Sequence, residues 1–295
     1  MDGLIVVNKP AGITSHDVVN KIRRIFNTKQ VGHLGTLDPL ATGVLVVALN
    51  KATKLVPYLE NVTKEYVVEA TIGLESDTFD SLGVITKSVK PTNITEEIID
   101  KTLESFLGVS EQTPPIYSAI KVKGKKLYEY ARNNKEVEIP KRTIEIFDIK
   151  RTTPLIEDGD TIKFSFKVVV SKGTYIRSLV YDFGQKLGVP ALMSALERTR
   201  NGVFSISSSS TISDIEEGNY QIISMLDALS DYKVIDNDEC YQKAKNGMKI
   251  SPKVVKEILN DTPSLIVIKH EDKLIGIYQL DQEINGYVAG RIWNY

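Results

Sequence analysis

The chain has 295 residues and a formal net charge of −1, with 42% hydrophobic and 25% charged residues, the make-up of an ordinary soluble globular protein. It is long enough for one large domain and a small one, and no apolar run approaches the roughly 20 residues of a membrane span. One cysteine, Cys240, excludes an internal disulfide, and three scattered histidines, His16, His33 and His270, give no cluster of metal ligands, so no metal is expected.

The start, "MDGLIVVNKPAG", lacks the basic and then apolar segments of a secretory signal, so a cytoplasmic protein is expected. Thr14 or Ser15 can cap a helix with Val18, Val19, Ile22, Ile25 and Phe26 on one face and Asn27 at its end. Residues 32 to 45, "GHLGTLDPLATGVL", read as one glycine-rich loop entering the buried strand "VLVVAL". "KEYVVEATIG" is a second strand, closed by Gly73 and the turn-rich "ESDTFDSLG". A polar-faced helix covers "TEEIIDKTLESFLG". A basic excursion with three tyrosines follows, from about Pro114 to Arg142. Ile162, Phe164, Phe166, Val168 and Val170 alternate as a half-buried strand, and Ile176, Leu179, Val180, Phe183 and Leu187 share a helical face closed by Gly188. "SISSSSTIS" suits a strap or linker. From 233 the chain reads as a small β-rich domain containing "SLIVIK" and "KLIGIYQL".

Net charge conceals an uneven distribution. Residues 121 to 151 hold ten Lys or Arg against five acids, whereas from 211 onward nine face 14. Phosphate binding follows local patches, although a lysine-rich stretch by itself is more often a solvated face.

Several residues admit two readings. Arg177 falls in the first turn of a helix, where the macrodipole disfavours a cation by about 0.3–1 kcal/mol and a nearby anion would offset the cost. Asp38 precedes Pro39, which favours extended backbone. It is either a turn-forming aspartate or a carboxylate presented as a nucleophile. His33 fits a structural histidine first, then a general base or a residue packed on bases. Tyr66 is core filler or a platform for a flipped base. Lys9 and Lys64, taken singly, read as surface lysines.

The stretches "VNKPAGITSHDVVNKIRRIF", "VGHLGTLDPLATGVLVVALNKATKL", "KEYVVEATIGLESDTFDSLG", "QTPPIYSAIKVKGKKLYEYAR" and "GTYIRSLVYDFGQKLG" resemble, in this order, the motifs of the tRNA pseudouridine synthase B family. The likeness covers about residues 3 to 205, with a looser likeness to a PUA-type RNA-binding domain beyond. It implies isomerisation of the TΨC-loop uridine of tRNA to pseudouridine, with no cofactor, no metal and no protein partner. Asp38 matches the catalytic aspartate, attacking C6 of uracil or C1′ of ribose. Tyr66 matches the tyrosine stacked on the flipped base, and Arg177 the arginine paired with the aspartate. His33 matches the histidine in the loop around the vacated base, and Tyr175 and Leu196 match pocket-lining residues. Lys9 and Lys64 fall in supporting motifs, and Asp80 matches a substrate-side acid. The excursion matches the family's thumb over the T arm, with Lys121, Lys123, Lys125, Lys126 and Arg132 expected on phosphates.

The expected architecture is an α/β (α+β) pseudouridine synthase domain over 1–230, with a mixed, largely antiparallel sheet across which the active-site cleft lies. A PUA-like domain over 233–295 completes it. Two rivals stand beside this reading. One is a non-catalytic tRNA-folding or RNA-binding module, and the other a phosphate-transferring enzyme using "GHLGT" as a nucleotide loop.

Overall fold

The run Gly3–Lys9 (β1) is buried at nearly every position, with Leu4 to Val7 a continuous apolar stretch, because both its faces are covered. It pairs antiparallel with Thr42–Leu49 (β3), Gly3 opposite Leu49 and Lys9 opposite Gly43. The computed structural model describes residues 1–133 and 135–293. Between these strands lie the helix Ser15–Ile25 (α1) and the short strand Val31–Leu34 (β2). Thr14 and Asp17 form a reciprocal capping box at the start of α1, and Val18, Val19 and Ile22 bury its apolar stripe. β2 pairs with β3, His33 opposite Val47, so Gly32 and His33 belong to a strand. The stretch read as one loop from 32 to 45 therefore shrinks to residues 35–41.

A 3-10 turn (Asn50–Leu55) and the short helix Val56–Leu59 (α2) lead to Lys64–Ile72 (β4). Then come a hairpin of Leu74–Ser76 (β5) with Ile85–Ser88 (β6), the helix Glu96–Glu104 (α3) capped by Thr95, and Gly108–Gln112 (β7). The basic excursion forms a two-residue-armed hairpin, Lys121–Val122 (β8) with Lys125–Lys126 (β9), and the helix Leu127–Arg132 (α4), held by the buried Leu127. Next are Arg142–Arg151 (β10), Ile156–Asp158 (β11), Thr161–Val170 (β12), the helix Ile176–Leu187 (α5), Ala191–Asn201 (β13), Phe204–Ser205 (β14) and Ile212–Glu216 (α6).

Among the described residues these strands join in the order β1-β3-β13-β4-β12-β10-β7, antiparallel throughout that path except where β13 runs parallel to β3. The alternating apolar residues of β12 are all buried, packed with β4, α1, α3 and α5 in one core. The serine-rich strap lies along β1: Ser210 N–H donates to Val6 O and Asn8 N–H donates to Ser210 O, both at 2.9 Å.

The remainder forms a second sheet, Lys233–Asp236 (β15), Leu265–His270 (β16), Lys273–Asp281 (β17) and Gly286–Ile292 (β18), in that spatial order. Two helices missing from the sequence reading accompany it, Asp238–Lys245 (α7) and Pro252–Leu259 (α8), capped by Asn237 and Ser251. Val267, Leu274, Ile277 and Trp293 share one apolar cluster with Leu4, Val6, Val44 and Val46 of the first sheet. The Trp293 indole also donates to Lys51 O at 3.3 Å.

Candidate active site

Residues 35–41 leave β2 and return into β3, and groups from distant parts of the chain fix this short loop. Ser15 Oγ accepts from Leu37 N–H at 2.9 Å and donates to Leu37 O at 3.1 Å. Gly12 N–H donates to Pro39 O at 2.8 Å. The fully buried Arg198 donates from Nη2 to Gly35 O at 2.9 Å and from Nε to Val44 O at 2.7 Å. Gly43, at φ +95°, lets β3 pass so close to β13 that a Cβ there would overlap the Arg198 carbonyl. Asp38 is thus carried on a rigid loop, its side chain 38% exposed.

Arg177 lies in the first turn of α5 with only 6% of its side chain exposed. Its Nε donates to Asp38 Oδ2 at 2.8 Å, Nη1 to Thr78 O at 3.0 Å and Nη2 to Tyr117 O at 3.0 Å. One guanidinium therefore joins the carboxylate, the "ESDTFDSLG" turn and the root of the basic excursion. Gln112 sets where α5 begins, accepting from Tyr175 N–H at 2.8 Å and donating to Tyr175 O at 3.0 Å.

These groups face a cavity of about 670 Å³. Asp38, Arg177, Tyr66, Tyr175, His33, Lys64 and Leu196 all line it, so the structure gathers these sequence candidates in one place. Burial, more than the neighbouring Arg198, pushes the His33 imidazole below its usual pKa and favours the neutral ring. Its Nδ1 is buried without a partner among the described residues. Burial raises the Tyr175 phenol. Lys64 is only 9% exposed, and burial, reinforced by Arg198, brings its ammonium down to about 8.

The chain matches the family model described as TruB family pseudouridylate synthase (N terminal domain) over residues 23–176, just over half its length. The chain belongs to the TruB family. It is therefore an isomerase of the pseudouridine synthase class. Curated TruB relatives named tRNA pseudouridine synthase B include that of Clostridium tetani, 45% identical over 289 residues covering 96% of this chain and 97% of that one. That of Bacillus subtilis is 49% identical over 218 residues, 73% of this chain and 70% of that one. Among solved structures, a chain of a Cbf5-Nop10-Gar1 complex superposes with TM-score 0.73 at 28% identity, covering 99% of this chain and 84% of that one. A chain of an H/ACA RNP bound to a substrate RNA containing 2′-deoxyuridine gives 0.72 at 25%, covering 99% and 85%. The mixed, largely antiparallel sheet is thus the TruB-type pseudouridine synthase fold.

The structure corrects one sequence expectation here and locates the other candidates. Lys9 and Lys64 are not surface lysines. Lys9 is fully buried, and its Nζ donates to Pro10 O and Ile13 O at 2.8 Å and to Pro39 O at 3.4 Å. It braces the loop and is absent from the cavity lining. Asp80 likewise stands behind the lining: it accepts from Thr78 Oγ1 at 2.6 Å and Leu82 N–H at 3.1 Å, and its Oδ2 lies 3.7 Å from Arg177 Nε. Lys121, Lys123, Lys125, Lys126 and Arg132 lie outside the cavity lining, the last two near the ring of Tyr128, a lining residue. Arg151, counted in the basic stretch, is instead tied to Asp100 and Glu96. The sequence reading missed Ser15, Gln112, Tyr128, Lys172, Arg198 and Asn201. The stretch "LERTRN" around Arg198 is charged and polar, so nothing in the sequence sets that arginine apart.

Proposed function

We propose that this protein converts the TΨC-loop uridine of tRNA into pseudouridine, with Asp38 as nucleophile, without metal or cofactor and without a protein partner. Residues 1–230 act as the catalytic unit and 233–295 as an RNA-binding unit. The observation that carries the reading is the Asp38 carboxylate, held at 2.8 Å by a buried arginine at a cavity that Tyr66 also lines.

The N1–C1′ bond breaks and a C5–C1′ bond forms; C5 loses its proton to solvent and N1 gains one. Attack at C1′ and attack at C6 both need a carboxylate with a fixed direction, which Arg177 supplies by donating from Nε to Asp38 while its other two donors are anchored on the Thr78 and Tyr117 carbonyls. The flipped uracil costs a few kcal/mol to extrude, which stacking on Tyr66 offsets. The exposed lysines of the excursion add salt-sensitive affinity for T-arm phosphates. The curated relatives' name, tRNA pseudouridine synthase B, supports tRNA as substrate.

Tritium release from tRNA carrying [5-³H]uridine, in EDTA, tests the reading. Wild type should release tritium and Asp38→Asn should not. Equal release by both overturns the role of Asp38, and release by neither leaves an RNA-binding module.

A further inference from the structure

The charged groups lining the cavity do not balance. The cations are Lys64, Lys172, Arg177 and Arg198, and the carboxylates among the described lining residues are Asp38 and Glu60. Arg177 takes Asp38 at 2.8 Å and Lys172 takes Glu60 at 3.3 Å. Among the described residues no carboxylate pairs directly with Lys64 or Arg198, although both are buried; Glu60, held by Lys172, acts on Lys64 only as a weaker, more distant charge. Arg198 has its donors directed at Gly35 O and Val44 O, which satisfies hydrogen bonds but leaves its charge. Among the described residues Lys64 Nζ donates to Val62 O, at 3.4 Å. A buried cation without a counterion is costly, and the cost is removed when a ligand brings the anion.

The two converge on one spot. Beside the α-carbon of Gly35, at the point a side chain would occupy, Arg198 Nη1 lies 3.3 Å away, Lys64 Cε 3.4 Å and Asn201 Nδ2 3.9 Å. Asn201 is buried, and its Oδ1 has no partner among the described residues. Cations next to a free acceptor match a phosphate next to a ribose hydroxyl.

We propose that Lys64 and Arg198, beside Gly35, form a subsite for one backbone phosphodiester of the RNA at the target nucleotide, with Asn201 receiving an adjoining ribose hydroxyl. Lys64 is the residue through which the subsite is tested, because Arg198 also holds the loop. The inference rests on the RNA substrate proposed above. It differs from the thumb lysines in being buried and single, so it fixes the position of the nucleotide instead of adding diffuse attraction.

The test is a thermodynamic cycle between Lys64→Met and a T-arm RNA in which each phosphate flanking the target uridine is replaced in turn by a neutral methylphosphonate. At one of these positions the neutral linkage should weaken wild-type binding about ten- to a hundredfold, the range for a charge-assisted hydrogen bond. Lys64→Met should be indifferent to it, and Lys64→Arg should restore the sensitivity. Equal penalties in wild type and Lys64→Met at both positions would overturn the subsite. Inorganic phosphate gives a readout independent of tRNA: it should raise the melting temperature of wild type more than that of Lys64→Met, and equal shifts count against the subsite. Absence of tritium release from tRNA would fall on the functional reading and leave the phosphate comparison standing.

Discussion

Arg177 and Asp38 meet at 2.8 Å although 138 residues separate them, and the arginine is the buried member of the pair. The awkward place of a cation at a helix start is explained by its acceptors: a carboxylate and two carbonyls surround it. Replacing Arg177 by Met removes the group that aims Asp38 and leaves the Thr78 and Tyr117 carbonyls without their donor. Single-turnover rates should fall at least about a hundredfold, as for a misplaced reacting group, while the Kd for tRNA changes less than about threefold. Rapid-quench kinetics with filter binding would separate the two, and a loss confined to Kd would contradict the role.

Ser15 is the second prediction. Its hydroxyl is the partner of both backbone groups of Leu37, one residue before Asp38. Ser15→Ala strands a buried N–H at a cost of about 1–3 kcal/mol. Calorimetry should find the melting temperature down by roughly 2–8 °C, with a slower reaction at unchanged RNA affinity.

Two glycines at positive φ should differ sharply. Gly188, at φ +77°, ends α5 with open space where a Cβ would go, so Gly188→Ala carries only the left-handed strain, about 1 kcal/mol. Gly43, at φ +95°, would drive its methyl into the backbone of Arg198. Denaturant titration of both variants should give a loss for Gly43→Ala several times that for Gly188→Ala; comparable losses would refute the close β3–β13 approach.

The pH dependence of Lys64 has opposite signs for stability and for binding. Burial lowers its folded-state pKa from 10.5 to about 8. Between those values the folded protein has released a proton that the unfolded chain retains, so this residue makes stability rise with pH across that window. Affinity for RNA moves the other way, falling as the ammonium is lost above about 8. Arg198, Lys172 and Glu60 set the local field around it. The wild-type minus Lys64→Met difference should show both trends, since the mutation cancels contributions from other titrating groups.

Local rules made part of this legible in advance. The capping pattern at Thr14 and the strict alternation of β12 each act within a few residues, so sequence reveals them. β13 escaped because bulges at Met193/Ala195 and Arg198/Arg200 break its alternation. The glycines around His33 imitate a loop, while the hydrogen bonds that make β2 a strand come from β3. Asp38 and Arg177 were readable as anomalies, each in a place where its type is unusual. Ser15, Gln112 and Arg198 look ordinary until their partners, 22, 63 and 163 residues away, are in position. The burial of Lys9 and Lys64 is likewise a tertiary fact that side-chain type argues against.

The C-terminal sheet is more than an appendage to the first. Trp293 and its neighbours in β16 and β17 cover the apolar underside of β1 and β3, the strand pair whose other end enters the Asp38 loop. Shortening the chain from the start of its last strand would take Trp293 from that underside and leave β17 without its outer partner, so part of the cover over β1 and β3 would go with it. A graft of this terminal unit onto a relative would have to carry its matching half of the β1–β3 surface, which makes the two sheets a single unit of inheritance.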